Sequence, residues 1–89
     1  MSSGWRFVGA RVEGDDFRIG GVEVWRHRWV PAGLGPVEVV DPQYGQTFHF
    51  EVYDIRGAAA DVRFAAGEFS NGIWGFYVPP SAGGDEAGG

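Results

Sequence analysis

The chain has 89 residues, a net charge of -5 and no cysteine. That length holds one small domain, which hides only roughly 60% of the surface its unfolded chain exposes. The composition excludes disulfide bracing and thiolate metal sites, argues against general nucleic-acid binding, which needs positive charge to release counterions, and offers no apolar run near the roughly 20 residues of a membrane-spanning helix.

The core must therefore come from side chains alone. Four Trp, seven Phe and three Tyr make up 16% of the chain, and large rings bury much area per residue. The charge is unevenly spread. Residues 1–30 carry five arginines against four acids, and residues 31–89 carry two arginines against eight acids. Every basic residue is arginine, the better residue for planar recognition.

Met1 to Gly4 reads as a loose start. It lacks the basic and apolar regions of a secretion signal, so a cytoplasmic location is expected. A first strand is predicted over Trp5–Glu13, followed by a turn at Gly14-Asp15-Asp16. Phe17–Ile19 and Val22–Val30 flank Gly20-Gly21, a two-residue hairpin signal. That loop pairs Ile19 with Val22, Arg18 with Glu23 and Phe17 with Val24. One face then holds Phe17, Ile19, Val22 and Val24, while the other carries an ion pair.

Pro31 to Pro36 reads as a loop and Val37–Val40 as a short strand. Asp41-Pro42-Gln43-Tyr44-Gly45 has the chemistry of a turn. Gln46–Ile55 alternates, with Phe48, Phe50 and Val52 on one face and His49, Glu51 and Tyr53 on the other. Ala58-Ala59-Ala60 and the residues to Ala66 offer two readings, a short helix by propensity or a strand by alternation. The alternation of Val62, Phe64 and Ala66 favours the strand.

Val62–Ser70 and Ile73–Val78 form the last hairpin, with Asn71-Gly72 as a type I′ loop. An undisturbed register places Ser70 opposite Ile73, Phe69 opposite Trp74, Gly67 opposite Phe76 and Ala65 opposite Val78. Phe69, Trp74, Phe76 and Val78 would share one face, and Phe64, Glu68, Ile73 and Tyr77 the other. Pro79-Pro80 ends the strand, and the Gly-rich residues 81–89 read as a disordered tail. The expected fold is all-β: a small antiparallel barrel or strongly curved sheet of about six strands, as a single domain over residues 5–80.

The segment Trp25-Arg26-His27-Arg28-Trp29 stands out. On a continuous strand it would turn Arg26 and Arg28 toward the core, at a high desolvation cost. Either a bulge near Val24–Trp25 switches faces, the strand leaves the core after Val24, or both faces are half covered. The functional reading is an aromatic surface flanked by guanidinium groups; the bland reading makes both Trp core residues and both Arg solvated. Trp25, Arg26, His27, Arg28, Trp29, Tyr44, His49 and Tyr53 are the expected partner-binding residues. His49 and Glu51 at i and i+2 give only a weak metal signal. No nucleophile motif and no phosphate-cradling loop is present, and no cofactor or metal is expected.

These features point to a non-enzymatic module that recognises a protein partner, in an inhibitor, immunity-type or accessory-subunit role. Aromatic and Arg residues anchor interfaces, and the acidic half could steer a basic partner. Two alternatives belong to other classes. One is a small-molecule or carbohydrate binder or small oligomeric enzyme. The other is a single-stranded nucleic-acid-binding barrel that stacks bases on Trp25, Trp29 and Tyr44. Open sheet edges also allow a homodimer. No motif specific to a known family is visible.

Overall fold

The computed structural model describes residues 4–56 and 61–80. Its strands are β1 (Arg6–Val12), β2 (Arg18–Ile19), β3 (Val22–Glu23), β4 (Val30–Pro31), β5 (Val37–Val40), β6 (Thr47–Ile55), β7 (Val62–Ser70) and β8 (Ile73–Val78). Six of them form one antiparallel sheet, in the order β1-β8-β7-β6, with β4 and β5 both paired to β6. Strands β2 and β3 form a separate hairpin. Residues 1–3 of the expected loose start over Met1–Gly4, the Ala58–Ala60 run and the tail over 81–89 lie outside the described residues. The stretch from Val62 is strand, which decides against a helix there.

The sheet is packed on both faces. On one, Phe17, Ile19, Val22 and Val24 of the β2–β3 segment join Ile55, Phe64, Ala66, Phe76 and Val78 of the sheet. The Gly20-Gly21 hairpin has the predicted register, Ile19 with Val22 and Arg18 with Glu23. Arg18 Nε lies 3.2 Å from Glu23 Oε2. Alternation delivers the four apolar side chains to the sheet and leaves the ion pair outside.

The other face is concave. It gathers Val39, Phe50, Val52, Ala65 and Tyr77, flanked by Phe7, Phe48 and Phe69. The Tyr77 hydroxyl on β8 donates to the Val40 carbonyl on β5 at 2.7 Å. Three strand spacings separate β8 from β5, roughly 14 Å in a flat sheet, farther than a tyrosine side chain reaches. The sheet must curl to bring them together. Bulges between Phe7 and Gly9 and between Glu68 and Ser70 increase its twist. It does not close: no pairing joins β1 to β4 or β5 among the described residues. The observed form is therefore an open antiparallel sheet of six strands, not a closed barrel.

Two local expectations are corrected. The strand predicted over Val22–Val30 stops at Glu23, and Val24–Arg26 form a 3-10 turn. Trp25 and Trp29 are then half-buried while Arg26, His27 and Arg28 are exposed. Leaving the extended conformation spares two guanidinium groups from desolvation. In the last hairpin Ser70 does pair with Ile73, but Glu68 pairs with Trp74 and Ala66 with Phe76. Phe69 is the extra residue of the bulge, so its ring joins Phe48 and Phe50 on the concave face. Phe64, Ala66, Trp74, Phe76 and Val78 share the opposite face.

Glycine makes room for those rings. A Cβ built at Gly67 would stand 2.3 Å from the Phe50 ring, and one at Gly75 would stand 2.4 Å from the Phe69 ring. Gly67 and Gly75 are directly paired across β7 and β8. Together they form a flat strip of backbone on which two phenyl rings lie.

The free edge of β1 carries its own cap. The Glu13 amide donates to the Gly72 carbonyl at 3.0 Å, so by alternation Ala10 and Val12 turn their polar groups outward. Arg11 folds back, with Nη1 donating to the Ala10 carbonyl at 2.8 Å and its guanidinium 4.7 Å from the Phe17 ring centre. Occupying an edge carbonyl blunts pairing with another chain. An Arg11→Ala variant is expected to lose about 0.5–1 kcal/mol from the cation–π contact and to associate more. Sedimentation velocity of variant and parent at equal concentration checks this; equal sedimentation coefficients would show that the cap does not guard the edge.

Candidate functional site

Two aromatic regions result, one on each face. On the first, the 3-10 turn sets Trp25 and Trp29 side by side, with ring centres 5.0 Å apart. Trp74 meets both nearly at right angles, 5.8 Å from each. Trp29 also packs on Tyr53 at 5.3 Å, Phe64 at 5.1 Å and Phe76 at 5.9 Å. Its indole Nε1 donates to the Val24 carbonyl at 2.6 Å, which pins the turn. The Nε1 atoms of Trp25 and Trp74 are buried without a hydrogen-bond acceptor. Their edge-to-face contacts present the positive edge of one ring to the electron-rich face of another, a weaker substitute.

On the concave face, a groove of about 570 Å³ opens at the end where β7 turns into β8. Phe7, Phe48, Phe69 and Ile73 provide its apolar lining, and the Asp41–Gly45 turn and Gln46 form one rim. That turn is tightly held. Asp41 Oδ1 accepts from the Gln43 amide at 3.0 Å, and Oδ2 from the Tyr44 amide at 3.2 Å. The Gly45 amide donates to the Asp41 carbonyl at 2.8 Å, with Gly45 at a φ of 73°. A carboxylate that satisfies its own turn fixes the loop without help from the core. The result is a rigid mount for Tyr44, which is 77% exposed.

Further apolar surface adjoins the groove. Val12 pairs with Ile73 across β1 and β8. Val12, Tyr44 and Ile73 are all exposed, and they are three of the six large exposed apolar residues described.

Arg18, Arg26, Arg56 and Arg63 form ion pairs. Asp54 is 4% exposed and receives Arg63 Nε at 2.8 Å and Nη2 at 3.0 Å. Arg56 Nη2 adds a third contact at 3.4 Å. The Arg63 hydrogen bonds hold the Asp54 carboxyl below its ordinary value, against the opposing effect of burial. Arg26 lies 3.5 Å from Glu23 Oε1 and 3.7 Å from Asp16 Oδ1. Among the described residues no group of three His, Cys, Asp or Glu side chains could hold a metal ion.

Burial, and secondarily the charge of Asp41, push the Tyr77 phenol up to about 12. An unfolded tyrosine ionises near 10. The folded state keeps the neutral form, so the stability it gains is fully present below pH 10 and is lost as pH rises from 10 toward 12. The chain has no lysine to titrate over the same range. Tyr77→Phe is expected to lower stability at pH 7 by about 1 kcal/mol, through the unmet Val40 carbonyl, while flattening the alkaline limb. Urea midpoints measured from pH 8 to 12 test this; parallel curves for variant and parent would refute it.

The sequence-derived site is thus divided. The fold brings Trp25, Trp29 and Tyr53 together in the first cluster, where Trp74, Phe64 and Phe76 join them. Tyr44 stands alone at the groove, on the other face. Arg26, His27, Arg28 and His49 are exposed. The groove residues Phe7, Phe48, Phe69 and Ile73, and the neighbouring Val12, were not singled out from sequence. Only the Asp-Pro-Gln-Tyr-Gly turn signalled that location, because the rest converge through the curl. Compared with family models, with curated proteins and with solved structures, the chain has no match.

Proposed function

We propose that this chain is a non-enzymatic interaction module that recognises a protein partner through the concave groove. The observation that carries the reading is the exposure of Tyr44 and Ile73 at an apolar-lined groove, with Val12 paired beside Ile73. An exposed tyrosine on a rigid turn is a typical interface anchor, because little side-chain or loop entropy is lost when it docks. The partner would supply an apolar side chain to the floor formed by Phe48 and Phe69. The acidic charge of the second half favours a partner with basic residues around that anchor. Trp25 and Trp29 serve this module from within, by supporting the opposite face.

A second reading has one observation in its favour. The groove volume of about 570 Å³ falls within the roughly 300–1,000 Å³ typical of small-molecule sites. An apolar small molecule is therefore the alternative occupant.

Affinity capture with the chain and with a Tyr44→Ala, Ile73→Ser double variant separates these readings. Both positions are exposed, so the variant should keep the fold, as circular dichroism would verify. A protein retained by the parent, lost with the variant and bound again in purified form supports the module. Equal retention by both chains, or no retained protein, overturns it. In the latter case, amide shifts at Phe48 and Phe69 on adding apolar fragments would favour the small molecule.

A further inference from the structure

We propose that a second cleft, at the opposite end of the β7–β8 hairpin, binds a carboxylate attached to a small apolar body. This cleft of about 410 Å³ is lined by Val8, Ile19, Val62 and Val78 and by Arg6, Arg18 and Arg63, with Asp61 as its acid. Three of the seven arginines of an acidic chain thus meet at one cleft.

The state of each guanidinium indicates what they can do. Arg63 is held rigidly by Asp54 through Nε and Nη2. Arg18 is tied to Glu23 through Nε alone. In these bonds the Nη1 group of Arg63 and both Nη groups of Arg18 keep donors to spare. Arg6 is exposed and makes no ion pair with a described residue. Two guanidinium groups oriented by carboxylates and a third without one resemble a partly filled recognition site rather than a solvated face. Preorganised guanidinium groups suit planar oxyanions, which they meet with parallel hydrogen bonds.

The charge balance selects a monoanion. The charged residues of the cleft and those linked to them by ion pairs are Arg6, Arg18, Arg26, Arg56 and Arg63 against Asp16, Glu23, Asp54 and Asp61, an excess of one positive charge. A carboxylate neutralises that excess, while a dianionic phosphate overshoots it beside Asp61. The four apolar side chains then accept a short hydrocarbon body. The site is separate from the concave groove, and its test does not depend on what the groove binds.

Titration of the 15N-labelled chain with hexanoate, hexanamide and inorganic phosphate, following backbone amides and Arg Nε resonances, tests the assignment. Hexanoate is expected to give saturable shifts at Gly20, Val62 and the Arg6 and Arg18 Nε groups. Hexanamide, equal in shape but uncharged, and phosphate, which lacks the apolar body, should bind at least several-fold more weakly. Arg6→Gln removes one charge-assisted contact and should weaken hexanoate about tenfold. It lies on the surface, so the spectrum of the unliganded variant should otherwise match the parent. Hexanamide or phosphate binding as well as hexanoate, shifts spread over all seven arginines, an unaffected Arg6→Gln affinity, or no saturable shift would each overturn the proposal.

Discussion

A Trp29→Ala variant is expected to lose about 3–5 kcal/mol of stability, the range for removing a large buried aromatic. A domain of this size has only about 5–15 kcal/mol in all, so the variant should be partly unfolded at room temperature. The reason is the number of rings that depend on this one side chain. Trp29 touches Trp25, Tyr53, Phe64, Trp74 and Phe76, and its Nε1 closes the turn at Val24. Removing it strips these rings of a shared neighbour and leaves the Val24 carbonyl without its donor. Urea unfolding followed by tryptophan fluorescence gives the value. A loss below about 1 kcal/mol, typical of surface positions, would mean that Trp29 is not a core residue.

Gly67→Ala is the second large effect, and it is unusual because the added group is one methyl. Alanine is ordinarily the better strand residue by roughly 0.5–1 kcal/mol. Here its Cβ would fall 2.3 Å from the Phe50 ring, which is only 5% exposed and has little room to withdraw. Overpacking of this kind costs about 1–3 kcal/mol, occasionally more. The cause can be isolated with a double-mutant cycle. Phe50→Ala alone should cost about 3–5 kcal/mol, and adding Gly67→Ala to it should cost little or nothing further. Strictly additive losses would show that the glycine is required for some reason other than the ring above it.

A similar contact explains why the concave groove keeps its shape. Phe69 lies against Gly75 and lines the groove. A larger residue at Gly75 would push that ring outward, toward the volume now edged by Phe48 and Ile73. A small domain with so many rings could easily fill its own cavity. Gly75 preserves a groove instead.

Much of this was legible along the chain. Gly20-Gly21 and Asn71-Gly72 located two hairpins. Gly20 and Gly21 both take the positive φ of a type I′ loop, whereas at the second turn Gly72 does and Asn71 does not, which corrects the type I′ loop expected there. The register of the first followed from its two-residue loop, and the alternation of Phe48, Phe50 and Val52 was correct. The second register could not be read the same way. Its Ser70–Ile73 pair is the expected one, but the bulge at Phe69 shifts every pair beyond it. A bulge leaves no local mark when both faces of a strand are apolar, as they are here.

The candidate sites divide along the same line. Tyr44 was visible because its turn is built from adjacent residues. The tryptophan segment was visible as a conflict between two faces, but not its solution. A 3-10 turn was chosen there because the sheet offers Phe64, Phe76 and Trp74 as a surface for both indoles at once. The groove and the arginine cleft were hidden entirely. Phe7 and Phe48, or Arg6 and Arg18, are brought together only when the sheet curls and the β2–β3 hairpin folds across it.

The sequence by itself determined an all-β chain, its longer strands to within a few residues, and the location of its turns, but not the break of the Val22–Val30 strand at Val24. Those follow from local sterics and from the two-residue period of a strand, which act over a few bonds. Tertiary structure alone decided the curl, the open edges, the side of the sheet that Phe69 occupies, and the convergence of separate aromatic and basic residues. These depend on which distant surfaces bury one another, and that energy is shared among all the rings of the core rather than assigned to any one stretch of chain.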